Sequence, residues 1–167
     1  DVLFQMMQYS DIIFGDQNEW EVASGVPHIP FEALDADYEI DKEAYLGYFR
    51  KMHQLFPKCK KMVMAVRNQI ASSHHTLSGL LYDAVEDQLY TTRIYDIEPI
   101  VDPMGVGDAF IAAYIHAHQK WGDKNQYCLD FSLSASAIKN TVPGDQNLVT
   151  EEEIINNMTS LGGRIQR

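Results

Sequence analysis

Two glycines and an aspartate at positions 105, 107 and 108, inside the run Asp-Pro-Met-Gly-Val-Gly-Asp-Ala-Phe at 102–110, are the residues best suited to chemistry. They stand between the extended segment 97–101 and a stretch at 109–117 with helix-forming composition and a broad apolar face. Gly105 and Gly107 permit positive φ and the close approach of another group, while the first free N–H groups of the helix point back into the turn. Those N–H groups carry the positive end of the helix dipole, so the turn suits an anion such as a phosphate. Asp108 at the edge of an anion site is costly unless it has a task. The natural task is to accept the proton of a hydroxyl that attacks a γ-phosphate. The plain alternative is a turn followed by a first-turn carboxylate. Spacing excludes two other phosphate motifs. No Gly-Lys-Ser/Thr triplet occurs, and the third glycine of a dinucleotide fingerprint is replaced by Phe110.

A second constellation lies upstream. Asn18 and Glu21 follow the expected strand 11–14 at the start of a helix, and three residues apart they face the same way. The alternative is a helix cap with a glutamate three residues on.

The elements that must position these groups alternate as in an α/β fold. The spacing predicts a helix leading into a buried strand at 11–14, and an amphipathic helix over 41–56 with Leu46, Phe49, Met52, Leu55 and Phe56 inward, ended by Pro57. A buried strand at 62–66 follows, then a hairpin of 77–82 and 88–92 around 83–87. A helix over 128–141 places Leu129, Leu133, Ala137 and Ile138 inward. Its small residues, Ser136 among them, allow close packing or a flat ring such as adenine. The last helix opens with a capping box at 150–153 and turns Ile154, Ile155, Met158 and Leu161 inward. The segment 25–36 is the one long loop, and the run 58–61, Lys-Cys-Lys-Lys, reads as a solvated loop.

The 102–110 run resembles the second signature of the PfkB (ribokinase-like) carbohydrate kinases, matching at Asp102, Gly105, Gly107, Asp108 and Phe110. Asn18 and Glu21 reproduce the family's Asn-x-x-Glu, and 136–149 resembles its 2-dehydro-3-deoxygluconate (KDG) kinase branch. The resemblance covers nearly all of the chain. It implies a three-layer α/β/α sandwich of which 1–167 is the C-terminal, nucleotide-binding portion, an incomplete domain without the lid and N-terminal strands. It implies ATP-dependent phosphorylation of a sugar acid, with Asp108 as general base and the backbone of Gly105, Val106 and Gly107 as anion hole. Asn18 and Glu21 then hold Mg2+ through water, Asp102 braces the turn and helps order a monovalent cation (K+) as in some relatives, and Asp145 reaches the sugar acid's hydroxyls. Many members carry glycines after the strand that ends near 66. Here Arg67 and Asn68 stand there, so Arg67 supplies either a cation for phosphates or a surface ion pair. The full-length enzyme is expected to form a homo-oligomer, and the two cysteines, Cys59 and Cys128, fit a reduced, cytoplasmic chain. A different sugar or nucleoside kinase of the family, and a non-catalytic nucleotide-binding module, remain open.

Composition sets the outer limits. The chain has 167 residues, enough for one domain, and 46% hydrophobic content supports a core. Its net charge of −11 opposes a nucleic-acid partner, which demands clustered Lys and Arg. No apolar run approaches membrane-spanning length. Two cysteines fit a reduced compartment, and the histidine spacings suit no structural zinc site.

Overall fold

The computed structural model describes residues 2–31 and 38–160. Leu161 and most of the expected 25–36 loop's second half lie outside them. In chain order the elements are α1 Val2–Met7, β1 Ile12–Gly15, α2 Gln17–Ser24, α3 Lys42–Leu55, β2 Lys61–Ala71, β3 His74–Asp83, β4 Gln88–Thr91, β5 Tyr95–Ile97, α4 Val106–Trp121, α5 Asn125–Lys139 and α6 Glu151–Thr159. β1 and β2 are parallel, joined by a crossover through α2 and α3. β3 runs antiparallel to β2 on one side, while β4 and β5 share its other edge. The fold is α/β, a mixed five-stranded sheet with helices.

Strand alternation sorts the sheet's side chains into two cores. Val63, Leu77 and Leu81 face α4, α5 and α6, where they meet Phe110, Tyr114, Leu129 and Leu133. Met62, Met64, Val66, Leu80 and Tyr82 face the opposite layer, with Trp20 of α2 and Tyr45, Tyr48, Phe49 and Met52 of α3. Helices thus cover both faces, as the three-layer expectation requires. α5 is the central helix of its layer, and every residue from Phe131 to Asn140 is buried.

Several expectations change. The strand expected at 62–66 runs on to Ala71 and turns through Ser72 and Ser73 into β3, so Arg67 and Asn68 lie within a hairpin, opposite Leu77 and Thr76. β1 is half-buried, with Ile13 alone below the surface. α3 buries Tyr45 and Tyr48 more deeply than Leu46 and Leu55, because its apolar stripe is rotated by about one residue. The extended segment before the glycine turn pairs as a strand earlier, at Tyr95–Ile97. Lys61 of the expected solvated run is buried, its ammonium bonded to Asp83 at 2.9 Å and Asn125 at 2.6 Å.

Candidate active site

The glycine turn sits where α4 begins, and its backbone follows from two residues. Gly105 is the N-cap with φ of +73°, a left-handed conformation open to glycine. A Cβ there would also collide with the Asp145 carbonyl. Gly107 acts differently from expectation. It lies within the first helical turn without positive φ, and a Cβ on it would meet nothing within 4 Å, so it keeps the mouth of the turn clear. The first intrahelical bond runs from the Ala109 N–H to the Gly105 carbonyl at 2.9 Å. The N–H groups of Val106, Gly107 and Asp108 therefore stay outside the helical ladder, free for an acceptor.

The loop after α5 clamps this turn from behind. The Asn140 carbonyl accepts from the Val101 and Asp102 N–H groups at 2.8 and 3.2 Å. Asp102 accepts from the Met104 N–H at 3.0 Å with one carboxylate oxygen and from the Gly144 N–H at 2.8 Å with the other. Those two N–H groups, helped by the charge of Lys139, hold the Asp102 carboxyl below its usual range. The fold thereby brings Asp102, Gly105, Val106, Asp108 and Asp145 to one place, and the bracing role expected of Asp102 has its geometry. Each of its oxygens accepts one backbone N–H group and keeps a further lone pair.

Ser136 is close by but is no lining residue. Its hydroxyl is buried and donates to the Val106 carbonyl at 3.0 Å, so it supports the turn from below. Ser132 and Ser134 are likewise committed, to the Cys128 and Ile154 carbonyls. An open groove of about 290 Å³ lies further along α4 instead, walled by Ala109, Ala112, Ala113, Phe131 and Ala135. Asn147 closes one side, with a buried side-chain oxygen that lacks a hydrogen bond among the described residues.

Asp108 is exposed at the third position of α4, and among the described residues no hydrogen bond or ion pair engages its carboxylate. An acid at that position commonly stabilises its own helix through a cap bond. Here the carboxylate is left available to a ligand.

At Asn18 and Glu21 the capping alternative fails, because the cap of α2 is Asp16. Asp16 accepts from the Glu19 N–H and Glu19 from the Asp16 N–H, both at 2.9 Å. Asn18 is exposed, and Glu21 accepts from the His28 N–H at 3.1 Å and from the His28 ring. These bonds, the backbone one foremost, hold the Glu21 carboxyl below its usual range and keep it ionised. Arg67 is exposed on β2, on the sheet face that α4 and α5 cover. No hydrogen bond or ion pair among the described residues joins Asn18, Glu21 or Arg67 to the turn.

Sequence reasoning missed the residues that hold the turn from behind: Asn140, Gly144 and Lys139. All three lie in the run 136–145, where Gly144 before Asp145 was the one local signal of a special backbone.

No protein-family model and no curated protein matches the chain. Solved structures do. The 2-dehydro-3-deoxygluconokinase of Thermotoga maritima is 26% identical with a TM-score of 0.80, over 95% of this chain and 44% of that one. A PfkB family carbohydrate kinase from Listeria grayi is 25% identical with a TM-score of 0.73, over 93% and 43%. Ribokinase of Arabidopsis thaliana, at 17% identity and a TM-score of 0.62 over 94% and 43%, shares the fold. The chain is thus similar in structure to 2-dehydro-3-deoxygluconokinase and PfkB carbohydrate kinases, has the ribokinase-like fold, and spans less than half the length of those proteins.

Proposed function

We propose that 1–167 is the nucleotide-binding part of a PfkB-type sugar kinase domain that phosphorylates a sugar acid with ATP, most like a KDG kinase giving the 6-phosphate. The observation that carries this reading is the Gly105–Asp108 turn: free helix N–H groups, a clear mouth at Gly107, and a carboxylate with no structural partner among the described residues. Structural likeness supports the sugar-acid choice, since it is greater for 2-dehydro-3-deoxygluconokinase than for ribokinase.

In this reading Asp108 takes the proton of the acceptor hydroxyl as its oxygen bonds to the γ-phosphorus and the bond to the bridging oxygen of ADP breaks. The N–H groups of Val106, Gly107 and Asp108 receive the charge that develops on the phosphoryl oxygens. The groove along α4 takes the adenine, and Arg67 adds a cation for the phosphates. Asp145, against Gly105, approaches the acceptor's hydroxyls. Asn18 and Glu21 offer oxygen donors, one of them ionised, which suit magnesium held through its waters. When bound, that ion neutralises phosphate charge. The sugar-contacting remainder and the homo-oligomeric, cytoplasmic state belong to the whole protein, as proposals.

The test is phosphorylation of KDG by the protein that carries this chain, compared with its Asp108→Asn variant. Turnover is expected to fall by about a hundred- to ten-thousand-fold, with ATP affinity nearly unchanged. Near-native turnover removes Asp108 from the mechanism. Turnover of another sugar or a nucleoside in place of KDG moves the chain to another branch of the family, and ATP binding without transfer makes it a binding module.

A further inference from the structure

The fold buries one ammonium group with no carboxylate paired to it. Lys139 ends α5 with its side chain fully buried. Among the described residues its Nζ donates to a single acceptor, the Val142 carbonyl at 3.1 Å, and forms no ion pair. A buried charge is expensive unless its surroundings supply the opposite potential. Two sources are present. The carbonyls that end α5 form the negative end of its dipole. In addition, the 140–145 loop that Lys139 bonds is the same loop that clamps the phosphate turn through Asn140 and Gly144.

That turn is acidic on every side. Asp102 lies within it, Asp145 packs on Gly105, and Asp108 follows in the first turn of α4. A phosphate would add further negative charge. A fixed cation behind the turn offsets both: the Lys139 charge already acts on the Asp102 carboxyl, and its ammonium holds the Val142 carbonyl of the clamping loop. A free monovalent cation near Asp102 would have to share this space with a fixed ammonium and meet its repulsion.

We propose that the Lys139 ammonium is the turn's built-in monovalent cation, standing in for a bound potassium ion, so that anion binding and phosphoryl transfer at this turn need no added monovalent cation. The catalytic half of this statement rests on the kinase reading; the structural half does not.

The experiment compares the protein that carries this chain with its Lys139→Ala and Lys139→Met variants in tetramethylammonium salt, with potassium or ammonium replacing part of it at constant ionic strength. Thermal melting is read first, because it needs no turnover. The native melting temperature is expected to be the same in all three salts. Lys139→Ala leaves room for an ion and is expected to melt lower, then to recover selectively in potassium or ammonium. Lys139→Met fills that room and is expected to melt lower without recovery. If Lys139→Ala folds only when potassium or ammonium is present, the proposal stands; if neither ion recovers it, the proposal fails. Selective stabilisation of the native protein by potassium also overturns it.

Turnover is the second readout. It is expected to be independent of potassium in the native protein, and to fall by about tenfold or more in Lys139→Ala with partial rescue by potassium. Activation of the native enzyme by potassium overturns the proposal. A native protein that transfers no phosphate to any sugar acid refutes the kinase reading, while the melting comparison still decides the role of Lys139.

Discussion

α5 runs between two polar clusters that treat charge in opposite ways. At its N-terminal end Lys61 bonds Asp83, Asn125 and Asp123, Asn125 bonds Asp83 in return, and the second Asp83 oxygen accepts the Val85 and Glu86 N–H groups. At its C-terminal end the Asp108 carboxylate and three helix N–H groups are left without partners among the described residues. Polar groups inside proteins are ordinarily matched. A cluster that is complete without a ligand fixes the join between sheet and helix, whereas one that lacks counterparts is completed by what binds to it.

The comparison breaks most readily at the matched end. Lys61→Ala strands a buried carboxylate and is expected to cost about 3–5 kcal/mol in denaturant unfolding. Asp108→Asn is expected to leave the denaturation midpoint unchanged while removing most activity. A strong stability loss in Asp108→Asn would dissolve the distinction.

At the turn, Gly105→Ala forces a side chain into a left-handed residue and against Asp145, an expected loss of about 1–3 kcal/mol together with a drop in turnover. Retained stability and activity would mean that the 145 backbone yields freely.

Acid titration sharpens the contrast further. Burial tends to raise the Asp83 carboxyl, but the bonds from Lys61, Asn125 and the Glu86 N–H outweigh it, and the group stays below its ordinary value of 3.8. A depressed folded value means that the stability it confers is present above pH 3.8 and is lost as pH falls through the folded value. Asp83→Asn should therefore lower stability at neutral pH and flatten the acid limb. An unchanged limb would show that the pair is not ionised as described. For Lys61 the sign reverses. Its value is raised, so its contribution holds below pH 10.5 and fades as pH rises above it.

The smallest effect is expected at Glu21. Its side chain has no part in the caps of α2, so Glu21→Gln should leave the melting temperature nearly unchanged while raising the magnesium concentration for half-maximal activity. A drop in melting temperature with unaltered magnesium dependence would assign Glu21 to structure, through His28.

The sequence made the glycine turn readable because Gly105, Gly107 and Asp108 are adjacent, and local backbone chemistry suffices to interpret adjacent residues. The capping box at Thr150 and Glu153 was legible for the same reason. At α2 the same rules were ambiguous, since Asp16 and Asn18 are both good caps and the pairing with Glu19 is settled only by where β1 ends. The β2–β3 hairpin escaped because Ser72 and Ser73 lack the glycine, proline or asparagine that usually marks a tight turn. Lys61 and Lys139 were opaque for a different reason. A lysine reads as solvated until the fold brings an aspartate 22 residues away, or the carbonyls of a helix end, to its ammonium. Ser136 likewise seemed free to meet a ring, until tertiary packing placed the Val106 carbonyl above it.

The contact between Gly105 and Asp145 has one more consequence. With no side chain between them, and with Gly144 tied to Asp102, neither segment can shift while the other stays in place. In the proposed kinase, phosphate binding at 105–108 and acceptor binding beside Asp145 would then draw on a single equilibrium rather than two. The two ligands are expected to bind cooperatively, each strengthening the other by the same factor, a reciprocity that calorimetric titration in either order can measure.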